Sequence, residues 1–133
     1  MSELTIAAAA RARLLELAQA AYPEEGCGLL LGVGARVEQV WALANAAADR
    51  RRHYRLDPIE YMRAEQRADA AGLRVLGIWH SHPDAEPVPS AQDLADAWPG
   101  WSYVIVGTSA AGVTGLRSWR LRDGEFLEEV ISP

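Results

Sequence analysis

Apolar residues recur at helical spacing near the start of the chain, where Ala7, Ala10, Leu14, Leu17 and Ala21 share one face of a helix spanning Ala7 to Ala21. Thr5 is a candidate N-cap, although Leu4-Thr5-Ile6 reads equally as a short strand. Tyr22 precedes Pro23 and is driven out of the α region, so the helix stops there. Leu29 to Val33 is a continuous apolar run of strand length, the pattern of a strand buried on both faces. Gly34-Ala35 turns the chain. Arg36 to Leu43 then alternates, with Val37, Trp41 and Leu43 among polar neighbours, as the second arm of a hairpin.

A polar loop runs from Asn45 to Arg52, and Tyr54-Arg55-Leu56 reads as a short strand. Asp57 caps a second helix with Pro58 at its first position; that helix runs to about Ala71 and stops at Gly72. Leu73 to Trp79 is the next strand and delivers His80 at its C-terminal end. A Pro-rich loop, Asp84 to Pro89, leads to Ser90 as the N-cap of a short helix, Ala91 to Ala97. Tyr103 to Val106 is a buried strand, and Val113 to Leu121 and Phe126 to Ile131 form a hairpin about Asp123-Gly124. Trp98, Trp101, Tyr103 and Trp119 read as core or sheet-face packing. The order predicts a mixed sheet with helices packed on it, of the α/β (α+β) class.

Composition narrows this further. The 133 residues, half of them hydrophobic, fit one domain over 1–133 with one core. No apolar run approaches the roughly 18 residues that cross a bilayer, and Met1 to Leu4 lacks a secretory pattern, so a cytoplasmic protein with no membrane partner is expected. The single cysteine, Cys27, excludes an internal disulfide and a Cys-based zinc site, and reads as a small buried hydrophobe. A net charge of −5 argues against nucleic acid as a partner. All 13 basic residues are Arg; a GC-rich genome explains that, as would a protein acting on Lys-linked conjugates that escapes conjugation itself. Arg50 to Arg55 is either a solvated loop, with His53 simply exposed, or a docking patch for an acidic partner.

The chemistry concentrates in Trp79-His80-Ser81-His82-Pro83, followed by Ser90 and Asp93. Side chains two apart on an extended backbone leave the same side, so His80 and His82 converge while Ser81 turns away. The ten residues between His82 and Asp93 allow one turn back, so that a carboxylate completes an N, N, O set. Three protein ligands with an open fourth position are the pattern of catalytic zinc. Such a site needs a base and an oxyanion donor. Ser90 is placed to donate. Glu25, at the mouth of the first buried strand, is a candidate base, with Glu24 as its competitor.

With Glu25-Gly26-Cys27-Gly28-Leu29-Leu30-Leu31-Gly32 upstream, the combined pattern resembles the JAMM (MPN+) zinc metalloprotease family over essentially the whole chain, as in its small stand-alone bacterial members. The resemblance implies a cytidine-deaminase-like curved mixed β-sheet flanked by helices. It implies Zn2+ on His80, His82 and Asp93, Glu25 as the catalytic base that also protonates the leaving amine, and Ser90 as the residue stabilising the oxyanion. The implied activity is hydrolysis of an amide bond at the C-terminal tail of a ubiquitin-like sulfur-carrier protein, releasing an attached amino acid such as cysteine or trimming residues. The tail is expected to add beside a sheet edge near the site. The alternatives are a non-catalytic MPN-type interaction module and a zinc hydrolase of another small amide; nucleobase hydrolysis lacks its His-x-Glu and Pro-Cys-x-x-Cys pattern. The oligomeric state is open, a homodimer included.

Overall fold

A computed structural model describes residues 2–133. Ten elements follow in order: β1 (Glu3–Ile6), α1 (Ala8–Ala21), β2 (Cys27–Val33), β3 (Arg36–Leu43), α2 (Pro58–Ala70), β4 (Arg74–Pro83), α3 (Ala91–Ala95), β5 (Ser102–Ser109), β6 (Gly112–Arg122) and β7 (Glu125–Ser132). Leu4-Thr5-Ile6 is therefore a strand, and Thr5 caps nothing: the residue before α1 is Ala7, with no side-chain cap. Tyr54-Arg55-Leu56 is not a strand but extended loop leading into Asp57, whose carboxylate accepts from the Ile59 and Glu60 backbone N–H groups. The last helix is shorter than expected, because Asp96 caps it at Ala95.

The strands follow one another in the order β1-β3-β2-β4-β5-β6-β7, and β1 pairs in parallel with β7 to close the ring. The mixed α/β character stands, with a strand-rich sheet and few helices; the sheet curves far enough to close into a barrel, which is compatible with the expected curved sheet although the helices do not simply flank it. Closure is short on both sides of β1: it pairs with β3 only at Arg36 and Val37 and with β7 only at Val130 to Ser132, so the remainder of β3, Glu38 to Leu43, pairs with β2 alone. At the β6–β7 hairpin, Asp123 and Gly124 both take positive φ (51° and 80°), as a two-residue turn with primed twist requires.

Alternation decides what each strand buries. Leu30 and Trp79 face α1, joining Ala10, Leu14, Ala18, Val37, Val104 and Val106. Leu29, Leu31 and Ile78 face the other way, onto Ala64 and Ala68 of α2 and onto Tyr103. Because α1 touches β3, β5 and β6, which lie on different arcs of the ring, it occupies the concave side, while α2 covers β4 from outside. Strands buried on both faces must approach closely at Gly28: a Cβ there would lie 1.8 Å from the Trp41 carbonyl oxygen and 2.7 Å from Trp79 Nε1. No helix among the described residues is long and apolar enough to cross a membrane.

Candidate metal centre

β4 does not end before its histidines but carries them: His80, Ser81, His82 and Pro83 are its last four residues, held in parallel pairing by Ile105 to Thr108 of β5. On the other side β2 runs antiparallel, with Cys27 opposite His80. Extending that register by two residues brings Glu25 to His82. The link is continued by hydrogen bonds, since Ser81 N–H donates to the Gly26 carbonyl (3.0 Å) and Gly26 N–H donates to Ser81 Oγ (2.8 Å). Ser81 thus faces away from the histidines and serves backbone, as its place in the alternation requires. Trp79, also on that far side, donates through Nε1 to the Trp41 carbonyl (3.0 Å).

The third member arrives on α3. Ser90 and Asp93 form a reciprocal cap: Asp93 N–H donates to Ser90 Oγ (3.0 Å) and Ser90 N–H donates to Asp93 Oδ2 (2.9 Å). The cap aims the Asp93 carboxylate at both rings, with Oδ2 3.2 Å from His80 Nε2 and 3.2 Å from His82 Nε2. The two Nε2 atoms are 3.1 Å apart. Two nitrogens and one oxygen therefore form a nearly equilateral triangle with edges of 3.1–3.2 Å. Ligands bonded tetrahedrally at about 2.0 Å to one ion are separated by about 3.3 Å. The triangle matches one face of that tetrahedron, so His80, His82 and Asp93 can hold a metal with a fourth position free.

Glu25 stands slightly back. A carboxylate oxygen of Glu25 and one ring nitrogen from each histidine lie within 4.8 Å of one another, all three side chains buried. A ligand set of Glu25, His80 and His82 is thus a geometric rival to the one with Asp93, whose carboxylate lies 3.2 Å from both ring nitrogens and is fixed there by the cap. Glu25 Oε1 is buried without a partner. Burial pushes its carboxyl up to about 8, with the Asp93 and Asp49 charges adding to the rise and His82 opposing it. Glu24, the competing base, is half-exposed and pairs with Arg50 (3.2 Å).

The remaining groups divide the charge. Asp93 is held well below the usual carboxylate range: burial alone would raise it, but hydrogen bonds from His80 and His82 outweigh burial. Burial lowers His80. Burial also acts to lower His82, but the Asp93 hydrogen bond and the Glu86 carbonyl lift it overall. His82 Nδ1 lies 2.9 Å from that carbonyl and donates to it, which leaves Nε2 free to bind metal. Burial raises the Cys27 thiol to about 12, so it is no nucleophile.

Sequence reasoning missed two neighbours. Tyr54, taken for part of a strand, stacks its ring on His80 at 4.2 Å and 20°. Beside it opens a cleft of about 540 Å³ lined by Tyr54, Leu56, Tyr61, Trp98, Trp101 and Tyr103 among others. Trp98, expected to pack in the core or on the sheet, is 69% exposed at this cleft. His53 is exposed, as expected.

Residues 7–122 match the family described as prokaryotic homologs of the JAB domain. A desampylase from Haloferax volcanii is 40% identical over 111 residues, covering 78% of this chain and 80% of that protein. A Thermus thermophilus protein named as a probable TtuB-protein conjugate cleaving protease is 35% identical over 121 residues, covering 91% and 75%. A CysO-cysteine peptidase from Mycobacterium tuberculosis is 33% identical over 114 residues, covering 84% and 77%. The solution structure of a Desulfitobacterium hafniense protein superposes with a TM-score of 0.81 at 31% identity, over 96% of this chain and 90% of that one.

Proposed function

The chain belongs to the family of prokaryotic JAB-domain homologs, and on that premise we propose that it is a zinc-dependent peptidase or isopeptidase acting at the C-terminal tail of a ubiquitin-like protein. The observation that carries the chemistry is the 3.1–3.2 Å triangle of His80 Nε2, His82 Nε2 and Asp93 Oδ2, with the buried Glu25 carboxylate facing it. Zinc held by these three residues would supply Lewis acidity, lowering the pKa of a water and polarising the scissile carbonyl.

The chain's own residues do the rest. Glu25 takes the proton of the attacking water and returns it to the leaving amine, a role that suits a buried carboxyl whose Oε1 has no other partner. Ser90 Oγ already accepts from Asp93 N–H, so its own proton is free to be donated to the developing oxyanion. The carbonyl of Glu86 fixes the His82 ring, and Tyr54 covers that of His80. The extended tail enters along the cleft beside Tyr54, whose ring stacks on His80; the cleft walls carry Tyr61, Trp98 and Trp101.

Two of the relatives are named for removing or cleaving protein conjugates and a third for a CysO-cysteine bond. Both an isopeptide bond and a single terminal amino acid therefore fall within the proposal. The test is to incubate the zinc-loaded protein with a ubiquitin-like sulfur-carrier protein extended at its C-terminus, and with a Lys-linked conjugate, reading products by mass. Loss of the extension, or of the conjugate, is the expected result; no cleavage of either would overturn the substrate class. Glu25→Gln should retain zinc and lose hydrolysis, whereas His80→Ala should lose both. Full activity in Glu25→Gln would remove Glu25 as the base.

A further inference from the structure

Asn45, in the loop after β3, belongs to no ligand set, yet its side-chain amide is fully used. Its Nδ2 donates to the carbonyls of Glu25 (2.9 Å) and His53 (2.9 Å). Its Oδ1 accepts from the backbone N–H groups of Ala47 (3.0 Å) and Arg55 (3.1 Å). Two donors and two acceptor lone pairs are all that an amide has, so nothing remains for solvent or substrate. His53 and Arg55 are the two neighbours of Tyr54. Asn45 therefore grips the chain on either side of the ring stacked on His80. The same loop also holds Glu25 from its other side, where Glu25 N–H donates to the Arg50 carbonyl (2.7 Å).

The two histidines are oriented differently. His82 has the Glu86 carbonyl at Nδ1 (2.9 Å), whereas His80 Nδ1 is buried with no partner. The His80 ring is instead held flat against Tyr54. We propose that Asn45 is a positioning residue that couples the two halves of the site. It sets the backbone of Glu25 and, through His53 and Arg55, seats Tyr54 against His80. Tyr54 then does by stacking what the Glu86 carbonyl does for His82 by hydrogen bonding. The kinetic part of this inference rests on the peptidase reading; the metal-binding part stands without it.

The experiment measures zinc affinity by competition with a chromophoric chelator, and kcat and KM on a tail substrate, for full-length variants. Partners behind a metal ligand are worth roughly 10- to 100-fold in affinity or activity. Tyr54→Leu should lose zinc affinity on that scale, while Tyr54→Phe, which keeps the ring, restores it. Asn45→Ala should lower zinc affinity and kcat with little change in KM. Asn45→Asp keeps the acceptor bonds to Ala47 and Arg55 but cannot donate to Glu25 and His53, so its kcat should fall even where it folds better than Asn45→Ala. The double variant Asn45→Ala/Tyr54→Leu should lose no more zinc affinity than Tyr54→Leu alone, because the two act in series.

Wild-type zinc affinity and kcat in Asn45→Ala would overturn the proposal, as would losses in zinc affinity that simply multiply in the double variant. Should the wild type cleave no tail substrate, the substrate reading falls, and the zinc titrations still decide the link from Asn45 through Tyr54 to His80.

Discussion

Burying Glu25 beside two histidines gives the metal-free protein one distinct contribution to its pH dependence. Its folded-state carboxyl titrates near 8, against an ordinary value of 4.5. Between those values the native state keeps a proton that the unfolded chain has released, so this group's contribution is complete below about 4.5 and is lost as pH rises through 8. His80 works in the opposite direction, since burial keeps it neutral and stability falls as pH drops below its ordinary 6.5. Comparing variants isolates Glu25. Thermal unfolding of the zinc-free protein from pH 5 to 8.5 should show Glu25→Gln gaining several degrees over the wild type toward the alkaline end; parallel curves would refute the assignment. The convergence of His80, His82 and Asp93 was legible from the sequence because strand alternation and a capped helix leave few ways to arrange them. Asn45 and Tyr54 were not: a polar residue in a polar loop looks the same whether its amide faces water or four backbone groups.

Among the elements, the short helix α3 depends on one residue, Ser90, for both its cap and the aim of its carboxylate. Ser90 caps it through Oγ, and the reciprocal bond from Ser90 N–H locks the Asp93 carboxylate toward the rings. Ser90→Ala should cost about 1 kcal/mol of stability through the lost cap. It should also lower kcat by roughly 100- to 1,000-fold through the lost oxyanion donor. Ser90→Asp separates the two effects, because a carboxylate can cap but cannot donate. Recovery of the melting temperature without recovery of kcat is the expected pattern, and recovery of both would leave Ser90 with the capping role alone. Helix boundaries were readable where a cap or Gly72 marks them. The extent of β4 was not, because nothing local in His80-Ser81-His82-Pro83 says that β5 will continue to pair with it as far as Thr108.

At the scale of the whole molecule, a ligand that binds only the folded ring stabilises it. Zinc at a free concentration 100-fold above its dissociation constant should add about 2.7 kcal/mol. The melting temperature should rise by several degrees and return when a chelator is added; no shift would mean that the triad does not bind zinc. The layers were foreseeable from the apolar pattern, but ring closure was not. Alternation reports which face of a strand is buried and is silent about which strand lies beside it. The closing seam joins Leu4 to Ile131, with the Thr5 and Ser132 hydroxyls 3.2 Å apart and 127 positions apart in sequence. As the chain leaves the ribosome, every residue from Glu25 to Asp93 emerges before β7, and β1 waits for its second neighbour until synthesis has reached residue 130. The candidate site residues are thus present on a nascent chain whose barrel is still open, and β1 gains its second neighbour only after every other strand of the ring has been made.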